Sequence, residues 1–116
     1  MQINFQQLRQ IMRESGLPVY RDGAPNNAKY PYIVYEFVNE THKRTSNKVI
    51  ANMPLYQIAV ITDGIESDIE PLKEVFNQYN VPYEMFEGYP YDENDDTIMQ
   101  YITYVRCMQR KTTTAL

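Results

Sequence analysis

Apolar positions recur along this chain with two periods, and the switches between them predict its elements. Leu55-Tyr56-Gln57-Ile58-Ala59-Val60-Ile61-Thr62 is too short for a stand-alone helix. It is rich in β-branched and aromatic residues, which predicts a buried central strand. Asp63-Gly64 is a turn signal. Ser67-Asp68-Ile69-Glu70 matches a capping box, a hydroxyl followed three residues later by a carboxylate. Ile69, Leu72, Val75, Phe76 and Tyr79 then recur at helical spacing as one apolar stripe. Pro71 falls in the first turn, where a missing N–H costs least. A strand and an amphipathic helix therefore form the centre, and the rest of the chain must cover their apolar surfaces.

The flanking segments extend this pattern. Over residues 3–15, Phe5, Leu8, Ile11 and Met12 predict a surface helix with Asn4 as its cap. Gly16 stands where a C-terminal cap is wanted, with Pro18 just beyond. Val19-Tyr20 is a candidate short extended piece, and Asp22 to Asn27 reads as an exposed loop dense in turn formers. Tyr30 to Glu40 predicts a strand, with Ile33, Tyr35 and Phe37 on one face and Tyr32, Val34, Glu36 and Val38 on the other. Pro31 belongs at its start or on an edge. Thr41 to Met53 is polar, and is either a long β-hairpin arm or a flexible loop. After Asn80, residues 82–87 predict a short strand, Gly88-Tyr89-Pro90-Tyr91 an aromatic turn, and Asp92 to Asp96 a solvated acidic hairpin tip. Thr97 to Met108 predicts the last strand. Its alternation sets Met99, Tyr101, Thr103, Val105 and Cys107 against a mixed face of Ile98, Gln100, Ile102, Tyr104 and Arg106. Gln109 to Leu116 reads as a polar, frayed tail.

The expected fold is α+β: a mostly antiparallel sheet with two helices packed on one face and a long polar β-arm. Residues 1–116 suffice for one domain with its own core. Apolar residues make up 43%, yet no run of about 18 of them could form a transmembrane helix. The first residues, Met1-Gln2-Ile3-Asn4-Phe5, lack the pattern of a signal peptide. The net charge of -4 leaves no basic face dense enough to predict tight nucleic-acid binding. Eleven tyrosines without a tryptophan suit either strand filling or interfaces, where an apolar ring with a wet end is useful.

Candidate chemistry is sparse. His42 is the single histidine and has no cysteine nearby, so a surface role is expected rather than a zinc site. Cys107, the single cysteine, lies in an apolar strand and reads as a small core residue. With four glycines, neither a dinucleotide nor a P-loop spacing occurs. The run Asp92 to Asp96 lacks the spacing of an EF-hand loop. No catalytic residues, metal ligands or cofactor are expected, which argues against an enzyme.

The order of motifs resembles a family. Leu17-Pro18-Val19-Tyr20 follows a short helix, and Tyr30-Pro31-Tyr32-Ile33-Val34-Tyr35 opens a strand. A polar arm follows, then Gln57-Ile58-Ala59-Val60-Ile61-Thr62-Asp63, a helix, Val81-Pro82-Tyr83 and a last strand with alternating aromatics. Over residues 5–108 this layout is similar to the tail terminator and tail-completion proteins of long-tailed bacteriophages, the minor tail and head-tail joining proteins. The resemblance implies a virion structural protein: a small subunit that closes into a hexameric ring, caps the tail tube and meets the head connector. DNA would pass through the lumen without specific binding. Six copies would carry about -24, and an acidic lumen repels DNA and lets it slide. His42, Lys43, Arg44 and Lys48 are candidate residues of an intersubunit arm. Asp92, Glu93, Asp95 and Asp96 are the candidate acidic contact on the next subunit. A head-side connector, a binding module that uses a tyrosine-rich sheet face, and a small metal enzyme are the competing readings.

Overall fold

The computed structural model describes residues 3–92 and 95–110. In chain order it contains α1 (Phe5–Glu14), β1 (Val19–Arg21), β2 (Tyr32–Thr45) and β3 (Lys48–Thr62). A 3₁₀ turn (Glu66–Ile69) then leads into α2 (Glu70–Gln78), followed by β4 (Glu87–Asp92), β5 (Asp95–Arg106) and β6 (Gln109–Arg110). Among the described residues the strands form one sheet in the order β1-β2-β3-β5-β4, and β6 pairs with β3 beyond the end of β5. β1 runs parallel to β2; every other pairing is antiparallel. The fold is α+β.

The expected central strand is β3, hydrogen-bonded to β2 on one side and to β5 on the other. Its pleat sends Ile58 and Val60 to the helical side. There they join Ile33 and Tyr35 of β2 and Val105 of β5. Leu8, Ile11 and Met12 of α1 and Leu72, Val75 and Phe76 of α2 complete that core, so both helices cover the same face. Burial of each large side chain contributes about 1.5–3 kcal/mol. Cys107 is fully buried in this core, as expected of a small core residue, although it lies one position past the end of β5 and not within the strand. A smaller cluster of Tyr32, Ala59 and Ile61 lies on the opposite face. The loop read as exposed packs Ala24 and Ala28 onto that cluster, so it serves as a partial cover.

The helix ends follow two different solutions. Asn4 caps α1: its Oδ1 accepts from the Gln7 N–H at 2.8 Å, and Gln7 Oε1 accepts from the Asn4 N–H at 2.9 Å. Gly16 follows at φ +83°, a conformation that costs glycine little. The expected capping box at Ser67 and Glu70 does not form, and α2 begins without a side-chain cap. The buried Thr62 hydroxyl needs a partner, and Asp68 supplies it, Oγ1 donating to Oδ2 at 2.6 Å. Pro71 in the first turn removes one of the N–H groups a cap would serve.

Three further expectations are corrected. Residues 82–87 do not form a strand; Tyr83 makes a single bridge to Val105, and the ladder starts at Glu87. The segment read as an aromatic turn is instead β4, every residue of which is exposed. An edge strand tolerates Pro90, because one side of its backbone has no ladder to complete. The tail does not fray at its start: Gln109 and Arg110 pair with Asn52 and Ala51. Residues 111–116 lie outside the described part.

Candidate functional site

Chain physics builds the arm from residue 39 onward. β2 and β3 stay paired as far as Thr45 and Lys48, so the polar segment is a hairpin arm rather than a flexible loop. Ser46 and Asn47 close it as a two-residue turn, both with positive φ, at 48° and 68°. That geometry matches the right-handed twist of the strands it joins. Register shifts at Phe37/Asn39 and Lys43/Arg44 bend the ladder away from the flat sheet.

The base of the arm is clamped. Arg106 at the end of β5 donates from Nη1 to Asn39 Oδ1 at 3.0 Å, Thr41 Oγ1 at 3.4 Å and the Met53 carbonyl at 3.0 Å. The Cys107 N–H donates to the Pro54 carbonyl at 2.8 Å, and β6 then continues along β3. A 470 Å³ groove lies between the start of α1 and β6, lined by Asn4, Gln7, Met108, Gln109 and Arg110.

The predicted arm residues stand together and in water. His42, Lys43, Arg44 and Lys48 are all exposed, and His42 Nδ1 lies 3.0 Å from Asn52 Oδ1. Lys43, Arg44 and Lys48 form none of the ion pairs found among the described residues. Asp92 closes β4, and Asp95 opens β5 opposite it. Glu93 lies outside the described residues, and the side chains of Asp95 and Asp96 are not described.

Within one chain the basic and acidic sets are far apart. Thr62 of β3 pairs with Met99 of β5, so β5, which starts at Asp95, begins past the end of β3 remote from the arm. The 14 steps from Lys48 to Thr62 alone span about 46 Å at the usual rise. The molecule is accordingly elongated, with a longest extent of 55 Å and a radius of gyration of 16.0 Å. A compact chain of this length has a radius near 13 Å.

The acidic end holds more than the sequence motif indicated. Asp63 and Glu66 are exposed just after β3, at the same end as Asp92. Burial raises the pKa of Tyr101, with the carboxylates of Glu66 and Asp68 acting in the same direction. Tyr32 is pushed up to about 12, first by burial and then by the neighbouring Tyr91 and Tyr30 hydroxyls. Tyr30 stacks on Tyr32 at 5.6 Å between ring centroids. Tyr30 and Tyr91 still expose 41% and 49% of their surface. Burial also drives the Cys107 thiol up to about 12, as expected of a core residue and not of a nucleophile. Reading motifs one at a time missed Asp63, Glu66 and the Arg106 clamp; the antiparallel pairing of β3 with β5 is what unites them with the predicted sets.

No protein-family model and no curated protein matches the chain. Among solved structures it is similar to a chain of the "Virion of native gene transfer agent (GTA) particle", with a TM-score of 0.53 and 15% sequence identity. The likeness covers 90% of this chain and 91% of that one, so the whole α+β body, and not a fragment, is shared in fold.

Proposed function

We propose that this chain is a structural protein of a phage-like virion. In this reading it forms a ring that caps the tail tube and joins it to the head connector, with DNA passing through the lumen. The observation that carries the reading is the likeness in fold, over 90% of the chain, to a chain of a gene transfer agent virion. The order of motifs that resembles tail terminators supports the finer role. An arm reaching out of an elongated body also suits a subunit whose contacts lie with other subunits. Its partners are further copies of itself, a tail-tube protein and a head connector, and its location is the virion. The role is structural and not catalytic.

Light scattering after size exclusion, followed by negative-stain imaging, tests this. Rings of about six subunits with a central hole, or capping of tail tubes by the protein, are the expected results. Rings that bind isolated head connectors and ignore tail tubes would move the assignment to the head side. A monomer at every concentration that binds neither would overturn the virion reading in favour of a binding module.

A further inference from the structure

The arm reverses the sign of a chain whose net charge is -4. Residues 41–53 contain Lys43, Arg44 and Lys48 and no acidic residue, and Glu40 stands at the base. The structure adds a fourth cation from far off in sequence. Ala51 of β3 pairs with Lys43 of β2 on one side and with Arg110 of β6 on the other. Directly paired residues share a face, so Lys43 and Arg110 stand in one row, about 10 Å apart at their Cα atoms. Ala51 between them is fully buried and puts only a methyl group there. Like charges in one row repel, and an anion set between them relieves both. All four cations are exposed, and none takes part in the ion pairs found among the described residues.

Resting on the ring reading above for the place where duplex and chain meet, we propose that the arm binds the phosphate backbone of double-stranded DNA without regard to sequence. Residues 39–48 are all exposed, and every one is polar or charged. A protein partner needs an apolar centre to desolvate, and this part of the arm offers none. Phosphate oxygens instead take hydrogen bonds from Lys, Arg, Ser, Thr and Asn, which make up most of this stretch. The shape agrees. β5 stops opposite Leu55 and β6 opposite Ala51, so the tip is a two-stranded ribbon. Such a ribbon fits the major groove of B-DNA, which is about 12 Å wide. A single copy with four phosphate contacts is a weak binder, and copies set in a ring act together on one duplex. Backbone contacts carry no sequence information, so the duplex is held without being read and can still slide.

Fluorescence anisotropy of two labelled duplexes of unrelated sequence, titrated with the full-length chain across a range of salt, tests this. Both duplexes should bind alike. For one copy, four contacts predict a slope of log K against log salt of about -3.6. Whatever the number of copies bound, Lys43→Gln with Arg44→Gln should roughly halve the wild-type slope, and Arg110→Gln should lower it by about a quarter. Arg9→Gln with Arg13→Gln on α1 makes the same change in net charge as the first pair and should leave the slope unchanged. No binding by the wild-type chain, a marked preference between the duplexes, or equal loss from the α1 pair would each overturn the proposal. Displacement by poly-glutamate as readily as by unlabelled duplex would replace the phosphate backbone with an acidic protein surface. Scattering on the wild-type chain reports ring formation separately: rings that ignore DNA remove this contact and leave the ring standing. DNA binding without rings keeps the contact and removes the ring.

Discussion

Replacing Arg106 by alanine should loosen the arm while leaving the sheet intact. Its Nη1 faces three acceptors, Asn39 Oδ1, Thr41 Oγ1 and the Met53 carbonyl. Asn39 and Thr41 are exposed, so water replaces the guanidinium there at little cost. The Met53 carbonyl is part-buried, and a charge-assisted bond to such a group is worth roughly 1.5–3 kcal/mol before water partly compensates. A net loss of about 1–2 kcal/mol follows. For a domain of this size the melting entropy converts that to a fall in Tm of about 4–8 °C. The sharper readout is hydrogen exchange. Amides of residues 39–53 should lose protection, while those of Ile58 to Ile61 keep it, because the latter are paired on both sides by β2 and β5. Arg106→Lys keeps the charge but presents a single head, and should fall between the two. Unchanged Tm together with unchanged protection across the arm would refute the clamp.

Phe76→Ala should cost about 3–5 kcal/mol in urea denaturation, since the ring is fully buried between the helices and the sheet. Thr62→Val should cost about 1–2 kcal/mol, because it strands the Gly64 N–H that donates to Oγ1 at 2.9 Å. The alkaline limb of stability should steepen with pH because of Cys107. Its thiol titrates near 9 when unfolded and is pushed up to about 12 when folded. Its contribution is therefore complete below pH 9 and is lost as pH rises towards 12. Thermal melts of Cys107→Ala across that window should show a flatter decline than the wild type, and parallel declines would refute the assignment. Lys43→Glu with Arg44→Glu should leave the Tm of the monomer within about 1 °C, since surface charges of this kind are worth little. A large drop in a calorimetric melt would show that the arm cations hold the fold itself.

Regions where burial enforces a period were legible in the amino-acid sequence. β3 is buried on both faces from Ile58 to Thr62 and declared itself by its apolar run. The stripes of α1 and α2 did so by helical spacing. β4 was not legible, because all of its residues are exposed and no face selects an alternation. The Ser67 cap does not form because residues 66–69 wind into a 3₁₀ turn, α2 starts only at Glu70, and Glu70 Oε1 instead accepts from Lys73 Nζ at 3.1 Å, none of which the four-residue motif reveals. The basic and acidic sets were visible as compositions. Their separation was not, since it depends on the antiparallel register of β3 with β5, which places residues 48 and 92 at opposite ends. Nothing in the local pattern around Arg106 distinguishes it from a solvated charge; its role comes from three acceptors drawn from two other strands.

The edges of the sheet have a bearing on how the unassembled chain behaves. One edge is β1, three residues long and parallel to its neighbour. The other is β4, where Pro90 interrupts the row of donors and Glu87 and Asp92 bring like charge to any second β4 laid against it. β1 covers only Ile33 to Tyr35, so the outer side of β2 from Glu36 to Thr45 has no partner strand among the described residues, and there the exposed charges of Glu36, Glu40, Lys43 and Arg44 work against strand addition. The strand edges of the chain on its own are thus short, interrupted by proline or charged, which lowers its tendency to zip into amyloid-like ribbons.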